Sequence, residues 1–488
     1  MSLQVVNITE LDGALGTLPA GVSALAVVGP AESGPVATPA AYARTKDVIA
    51  TFGQSNTVEA ACYFIKNYGR PVVFVRTGNS TVGTHGDLNV AGVTGTSVVT
   101  ISGGDTNPND DYEPYFKVTT GGTIGVAGIL FQWSLDNGRT LSPITALGTA
   151  TSFVFPGSGG IGYSFAAGTL VAGDTAFSVA KAPNWNTTEL GTALTALANS
   201  AISWEIAMIV GNIDASAFDT IVTNFGSGIM LEKAWMAHFR MPNVGESEST
   251  YRTAFDTAFS AKANNYPMIC AGAARTTSAI TFRQYRRPAL FSIGARQAFV
   301  SEEVDISSPN DPALPGVDIR DANGNPVEHD ENVNPGLDDS RAAVLRTWSD
   351  IQGVFCNNPR ILSAAGSDFE FFQHRRVMNL ARKALRLYFT RRLSKPIRVA
   401  TATGFILESE ALEIEKGADA AVRAVLMATP KASGGGFAKG RFVSLSRTDN
   451  LLSTKTLTVQ GAIVPLAYPK VINLDLGFRN PALQVVAV

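Results

Sequence analysis

Short uninterrupted apolar runs punctuate the first half of the chain. Ala24 to Val28 is the first, closed by Gly29-Pro30, and Pro71 to Arg76, Ile206 to Val210 and Pro267 to Ala271 follow. Runs this short, bounded by turn residues, suit strands buried on both faces. Pro288 to Ile293 reads as one more. Between them, helix-period patterns cover Ala40 to Phe52 (stopped by Gly53), Thr57 to Tyr68, Thr188 to Ala201, Ala215 to Phe225 and Thr250 to Asn265. Apolar strands alternating with helices predict an α/β layer.

Over residues 79–182 the pattern changes. Gly, Thr, Ser and Val dominate, turn signals such as Asn137-Gly138 recur, and short alternating runs appear at Val98 to Ile101, Tyr115 to Val118 and Phe153 to Phe155. This predicts an all-β domain inserted into the α/β domain, which is thereby split into residues 23–78 and 183–340. Within the second part, Ser307 to Asp339 is poor in apolar residues and reads as a long surface loop.

Residues 341–478 read as a C-terminal α+β domain. Its main feature is the segment Phe371 to Arg398, which contains no acid. At helical spacing Val377, Leu380, Ala381, Ala384 and Leu385 gather on one side, while Arg375, Arg376, Arg382, Lys383 and Arg386 fall on the other, predicting an amphipathic helix with a cationic face. A strand at Ile397 to Thr401, a helix over Glu408 to Ala428, a glycine hinge at Gly434 to Gly436 and strands at Phe442 to Leu445, Leu457 to Val464 and Lys470 to Leu476 follow. The two ends, residues 1–22 and 479–488, read as extended arms. Leu3, Val5 and Ile8 form a short strand on a Gly/Pro tether, and Leu483, Val485 and Val486 form another. The expected fold class is therefore α/β and α+β multidomain: an α/β core with an inserted all-β domain, a C-terminal α+β domain and terminal arms.

Composition narrows the function. Of 488 residues only 16% are charged against 45% hydrophobic, which fits large contact areas with other subunits or an unusually Gly/Thr/Ala-rich β protein. A formal net charge of −2 argues against nucleic acid as the main ligand, so a cationic stripe on this chain points to one acidic partner. Cys62, Cys270 and Cys356 lie beside apolar residues and make neither a disulfide framework nor a zinc spacing. No secretion signal and no apolar run of membrane-spanning length is visible, so a cytoplasmic origin without membrane insertion is expected.

Candidate chemistry is sparse. His85, His238, His329 and His374 show no metal-ligand spacing, and no motif sets a nucleophile beside a base. Asp318, Asp321, Glu328, Asp330, Glu331, Asp338 and Asp339 cluster, yet the stretch from Asp321 fits a calcium loop incompletely. Gly434 to Arg441 lacks the Gly-Lys-Ser/Thr ending of a phosphate loop, since Lys439 precedes Gly440. The expectation is no catalytic residue, no cofactor and no metal.

Read in order, these segments resemble contractile phage tail sheath proteins. The N-terminal match is Val27 to Pro35 (VVGPAESGP), continuing through Pro39, Phe52-Gly53 and the strand ending at Arg76. The C-terminal match is the helix from Arg375, then Leu393 to Pro396 and the late segment LTVQGAIVPLAYPKVINLDLGF. An Arg-Thr-Leu segment common before that helix is replaced here by GSDFEFF, which marks a divergent branch. The resemblance implies a non-enzymatic subunit of a virion tail, polymerised as stacked hexameric rings around a tail tube and contracting to drive the tube through the host envelope. It implies partners in the subunit itself, the tube protein, and baseplate and terminator proteins. Arg375, Arg376, Arg382, Lys383 and Arg386 would face the tube, the terminal arms would add strands to neighbouring subunits, and the insertion would lie outside. The competing readings are another tail or baseplate structural protein, or a hydrolase using the acidic stretch.

Overall fold

The computed structural model describes residues 25–102, 107–226, 228–320, 327–427, 438–439 and 443–474. These residues fall into two compact units, 25–395 and 396–474. The arm residues Leu3, Val5, Ile8, Leu483, Val485 and Val486, and the glycine hinge, lie outside the described residues.

The first unit is organised by a six-stranded sheet. In chain order its elements are β1 (Leu25–Gly29), β2 (Ala40–Tyr42), α1 (Thr45–Phe52), α2 (Asn56–Tyr68), β3 (Val72–Arg76), α3 (Thr187–Ala198), β4 (Ile206–Asn212), α4 (Ala215–Phe225), β5 (Ala234–His238), α5 (Glu248–Phe259) and β6 (Pro267–Cys270). The strand order is β6-β5-β4-β1-β3-β2, parallel throughout except for β2, which runs antiparallel to β3. The apolar runs are explained by burial on both faces. Leu25, Val27, Phe74, Met208 and Met236 point to a core completed by α1 and α2; Ala26, Val28, Val73, Ile209 and Trp235 point to a core completed by α3, α4 and α5. Helix starts are fixed locally: Ser55, Asn186, Asp214 and Ser247 each accept a backbone N–H of the first turn. Beyond β6, Ala343 exchanges backbone hydrogen bonds with Ile269 and Ala271, which covers that edge of the sheet.

Two glycines of the Gly-Pro loop have visible causes. A Cβ on Gly29 would lie 2.5 Å from Thr57 Oγ1 and 2.7 Å from the Val210 carbonyl, so no side chain fits where β1 ends. Gly34 has φ +90° and its missing Cβ would meet the Phe52 ring at 2.5 Å.

Between β3 and α3 the described residues build only β-structure. A five-stranded antiparallel sheet takes the order Thr84–Gly92, Thr175–Lys181, Tyr115–Thr120, Leu130–Ser134, Thr145–Ala146; a three-stranded one takes Ser152–Val154, Gly162–Phe165, Val99–Ile101. Phe116, Phe131, Phe155, Tyr163 and Phe165 share their core. The insertion leaves the parallel sheet at the C-terminal end of β3 and is tied to that end by buried ion pairs. Arg287 meets Asp110 at 2.8 Å and Arg275 meets Glu113 at 2.5 Å, with every side chain at most 9% exposed. Gln54 donates to Asp110 at 2.9 Å, and Asn56, at the start of α2, donates to Asp111.

The structure corrects several expectations. The run Pro288 to Ile293 is not a strand: β8 (Gln284–Pro288) ends there, pairs with β7 (Ala273–Thr277), and α6 (Leu290–Phe299) begins. An apolar run of that length does not distinguish a buried strand from a buried helix. Ala40 to Tyr42 form the edge strand β2, and only Thr45–Phe52 is helical. Ser307 to Asp339 is not a plain surface loop, because Leu314, Ile319, Glu328, His329, Asp330, Glu331 and Leu337 are buried. Neither Ile397 to Thr401 nor residues 470–474 form a strand.

In the second unit α8 (Glu408–Leu426) packs on the strand pair Val443–Leu445 and Val459–Gly461. Buried Glu415 fixes this contact by accepting from Leu445 N at 2.7 Å and Arg447 Nη1 at 2.6 Å.

Candidate functional site: an arginine-rich helix

The basic segment is the helix α7 (Phe372–Thr390), and it belongs to the first unit. It packs at the N-terminal end of the parallel sheet. Its partners are Glu205, the residue before β4; Glu232, two residues before β5; and Tyr266, the residue before β6. The insertion is tied to the opposite, C-terminal end.

The five predicted basic residues divide into two groups. Arg376 is 2% exposed. Its guanidinium grips Glu205 in a two-pronged pair at 2.9 and 3.2 Å and donates to the carbonyls of Gln297, Val300 and Ser301 at 2.8–3.2 Å. Those carbonyls end α6, so Arg376 caps that helix and meets the negative end of its dipole. Paired and fully bonded, it stays charged despite burial. Arg375, 5% exposed, lies over the rings of Tyr266 (4.4 Å) and Phe369 (4.7 Å), and its Nε donates to Asn379 at 2.8 Å. Burial, with Arg382 adding to it, lowers its pKa. Both arginines are corrections to the predicted cationic face, since their charged groups are enclosed by their own chain.

The second group is presented outward. Arg382 and Lys383 are exposed; Arg382 reaches the Tyr266 hydroxyl at 3.2 Å. Arg386 binds buried Glu232 through both guanidinium prongs while 45% of its side chain stays exposed. Beside them Lys233 lies over the Trp204 ring at 4.7 Å and donates to the Trp204 carbonyl. Burial, and then Lys383, pull its pKa down to about 8.

The remaining candidates take structural places. His85 Nε2 meets Ser178 Oγ at 2.7 Å, and Ser178 meets the Tyr163 hydroxyl at 2.7 Å; Ser178 is fully buried between strands, closed to any substrate. Burial pulls the His85 pKa down to about 4. Sequence reasoning missed His329, which bridges Glu248 at 2.9 Å and Glu331 at 3.0 Å. Burial lowers its pKa, but these two carboxylates outweigh that and raise it to about 9. Its Asp/Glu neighbours in sequence were the available signal. Among the described residues no group of three His, Cys, Asp or Glu side chains is placed to hold a metal; Asp321 lies outside them. All three cysteines are free and buried, and burial pushes the Cys62 thiol up to about 12.

The family model described as DUF2586, N-terminal domain, matches residues 3–282, more than half of the chain. The chain belongs to the DUF2586 family. No curated protein matches it. Among solved structures, this DUF2586 chain is similar to one in the anti-feeding prophage baseplate in the contracted state, with 11% identity, 98% of both chains covered and a TM-score of 0.51. It is also similar to the sheath of the same particle in the contracted state (10% identity, 98% and 99% covered, TM-score 0.48). A third is a sheath tail protein of Listeria innocua (12% identity, 93% and 94% covered, TM-score 0.47). At such identities the 0.51 match establishes likeness of fold along the whole chain.

Proposed function

We propose that this DUF2586 protein is the structural subunit of a contractile tail sheath. The observation that carries this reading is the fold shared over 98% of both chains with a component of the anti-feeding prophage baseplate in the contracted state. In this reading subunits stack as hexameric rings around a tail tube, and contraction is a rearrangement between two packings of the same subunits, with no nucleotide consumed. Arg382, Lys383 and Arg386 would meet acidic side chains of the tube protein. Residues 79–182 would face outward, and the terminal arms would add strands to neighbouring subunits, pairing backbone groups that an isolated strand leaves open. The opposed positions of insertion and α7 on one sheet support an inner and an outer side.

Electron microscopy of the purified chain tests this. Hollow cylinders are expected, and removal of residues 1–22 is expected to leave folded monomers. Discrete particles at every concentration would sink the reading. The second reading, a baseplate structural subunit, is favoured by the origin of the 0.51 match; single closed rings without stacking would select it.

A further inference from the structure

Four arginines are buried among the described residues, and three of them grip a carboxylate: Arg275 holds Glu113, Arg287 holds Asp110 and Arg376 holds Glu205. The fourth, Arg375, holds none among the described residues. Its Nε donates to Asn379 Oδ1 at 2.8 Å, which fixes one edge of the guanidinium, and the group lies over the rings of Tyr266 and Phe369 at 4.4 and 4.7 Å. Nη1 and Nη2 make no hydrogen bond among the described residues, and they are not sealed from solvent as Asn379 Nδ2 is. Burial lowers the pKa of Arg375 most; Tyr266 opposes it, Arg382 adds to it, and no carboxylate of the described residues acts on it. Arg375 also stands in the first turn of α7, at the positive end of the helix dipole, and that turn carries no acid and no side-chain cap.

A buried guanidinium without an anion is costly. Two aromatic rings offset part of that cost, yet they offer no lone pair to the N–H groups of Nη1 and Nη2. We propose that Arg375 is a preformed socket for one carboxylate from outside this chain, bound two-pronged across Nη1 and Nη2. A carboxylate matches that edge in width and planarity and balances its single charge. Asn379 and the two rings already hold the side chain in place, so little freedom is lost when the anion docks. Arg382, seven residues on along the same stripe of α7 and held by the Tyr266 hydroxyl at 3.2 Å, adds a field that draws the anion in. The source is either a small free carboxylate or an acidic side chain of the tube protein; the second rests on the sheath reading above, and the socket does not.

Melting of the full chain in sodium acetate, up to about 0.3 M and against sodium chloride at equal ionic strength, tests the socket. Arg375→Lys is the comparison, since it keeps the charge and loses the fork, and it shares any general salt effect. Acetate should raise the melting temperature of the parent saturably, by about 2 °C more than that of Arg375→Lys. Arg375→Gln should respond as the lysine variant does, and it replaces that variant if the lysine does not fold. Inorganic phosphate should raise parent and variant equally. An equal acetate response in parent and both variants would overturn the socket, and a parent-specific rise in phosphate as large as that in acetate would overturn its assignment to a carboxylate. Cosedimentation with tail tubes then separates the sources. A loss of at least about tenfold in Arg375→Lys assigns the carboxylate to the tube protein, and unchanged binding assigns it to a free anion. The acetate difference is read whether or not the chain builds cylinders, so the socket and the sheath reading can fail separately.

Discussion

The two ends of the parallel sheet handle charge in opposite ways. At the C-terminal end, where the insertion joins, Arg287–Asp110 and Arg275–Glu113 are sealed on both sides, and His329 is closed between Glu248 and Glu331. At the N-terminal end the charges of α7 are graded, from enclosed Arg376 through half-exposed Arg386 to exposed Lys383. A sealed pair makes a permanent joint, because breaking it leaves a buried charge alone. An open charge contributes little to the fold and stays available to a partner. One helix therefore does two jobs: its first turns fasten it to the sheet, and its later turns present cations.

The largest effects should come from the sealed arginines at both ends. Arg376→Met strands Glu205 and uncaps α6; Arg287→Met strands Asp110. Each should cost about 3–5 kcal/mol in urea unfolding. Much of the Arg287→Met loss should return in the double variant with Asp110→Asn. A loss below ~1 kcal/mol at either end would erase the claim that these joints are permanent.

The next effect is in pH. The folded pKa of His329 is raised to about 9 from an ordinary 6.5, so its contribution is fully present below pH 6.5 and lost as pH rises through 9. Its size is on the order of 3 kcal/mol. Thermal melts from pH 6 to 10 should show that decline, and His329→Gln should flatten it. Burial, only partly opposed by Arg287, raises the Asp110 carboxyl above the usual carboxylate range.

The smallest effect on stability should come from the exposed end of α7. Arg382→Glu with Lys383→Glu should shift unfolding by less than about 1 kcal/mol. Cosedimentation with tail tubes should nevertheless be abolished, and normal tube binding would break the division of labour along α7. Arg386 is the poorer probe, since a glutamate there would face buried Glu232.

Much of the frame was legible in the chain because short apolar runs have one stable place, a sheet covered on both faces. β1, β3, β4 and β6 were readable for that reason. β5, Ala234–His238, was missed though its run AWMAHF is as apolar, because no clear turn residue precedes it. β7 and β8 were hidden by Arg275, Arg286 and Arg287, which look like surface residues until a carboxylate distant in sequence is supplied: Glu113, Glu328 and Asp110. The same cause explains the acidic stretch, where Glu331 and Asp330 are buried because His329 and the Thr347 backbone and hydroxyl bind them.

The sequence by itself determined the alternation of elements, the β insertion and the existence of a basic amphipathic helix, since each follows from local periodicity and turn chemistry. Only the tertiary structure decided which of its arginines are structural. Helical spacing sorts residues by angle around one axis, whereas burial depends on where the neighbouring elements end. At the first turns of α7 they surround the helix, and Arg375 and Arg376 find aromatic rings, Glu205 and the open carbonyls of α6. Further along they fall away, and Arg382 and Lys383 meet solvent.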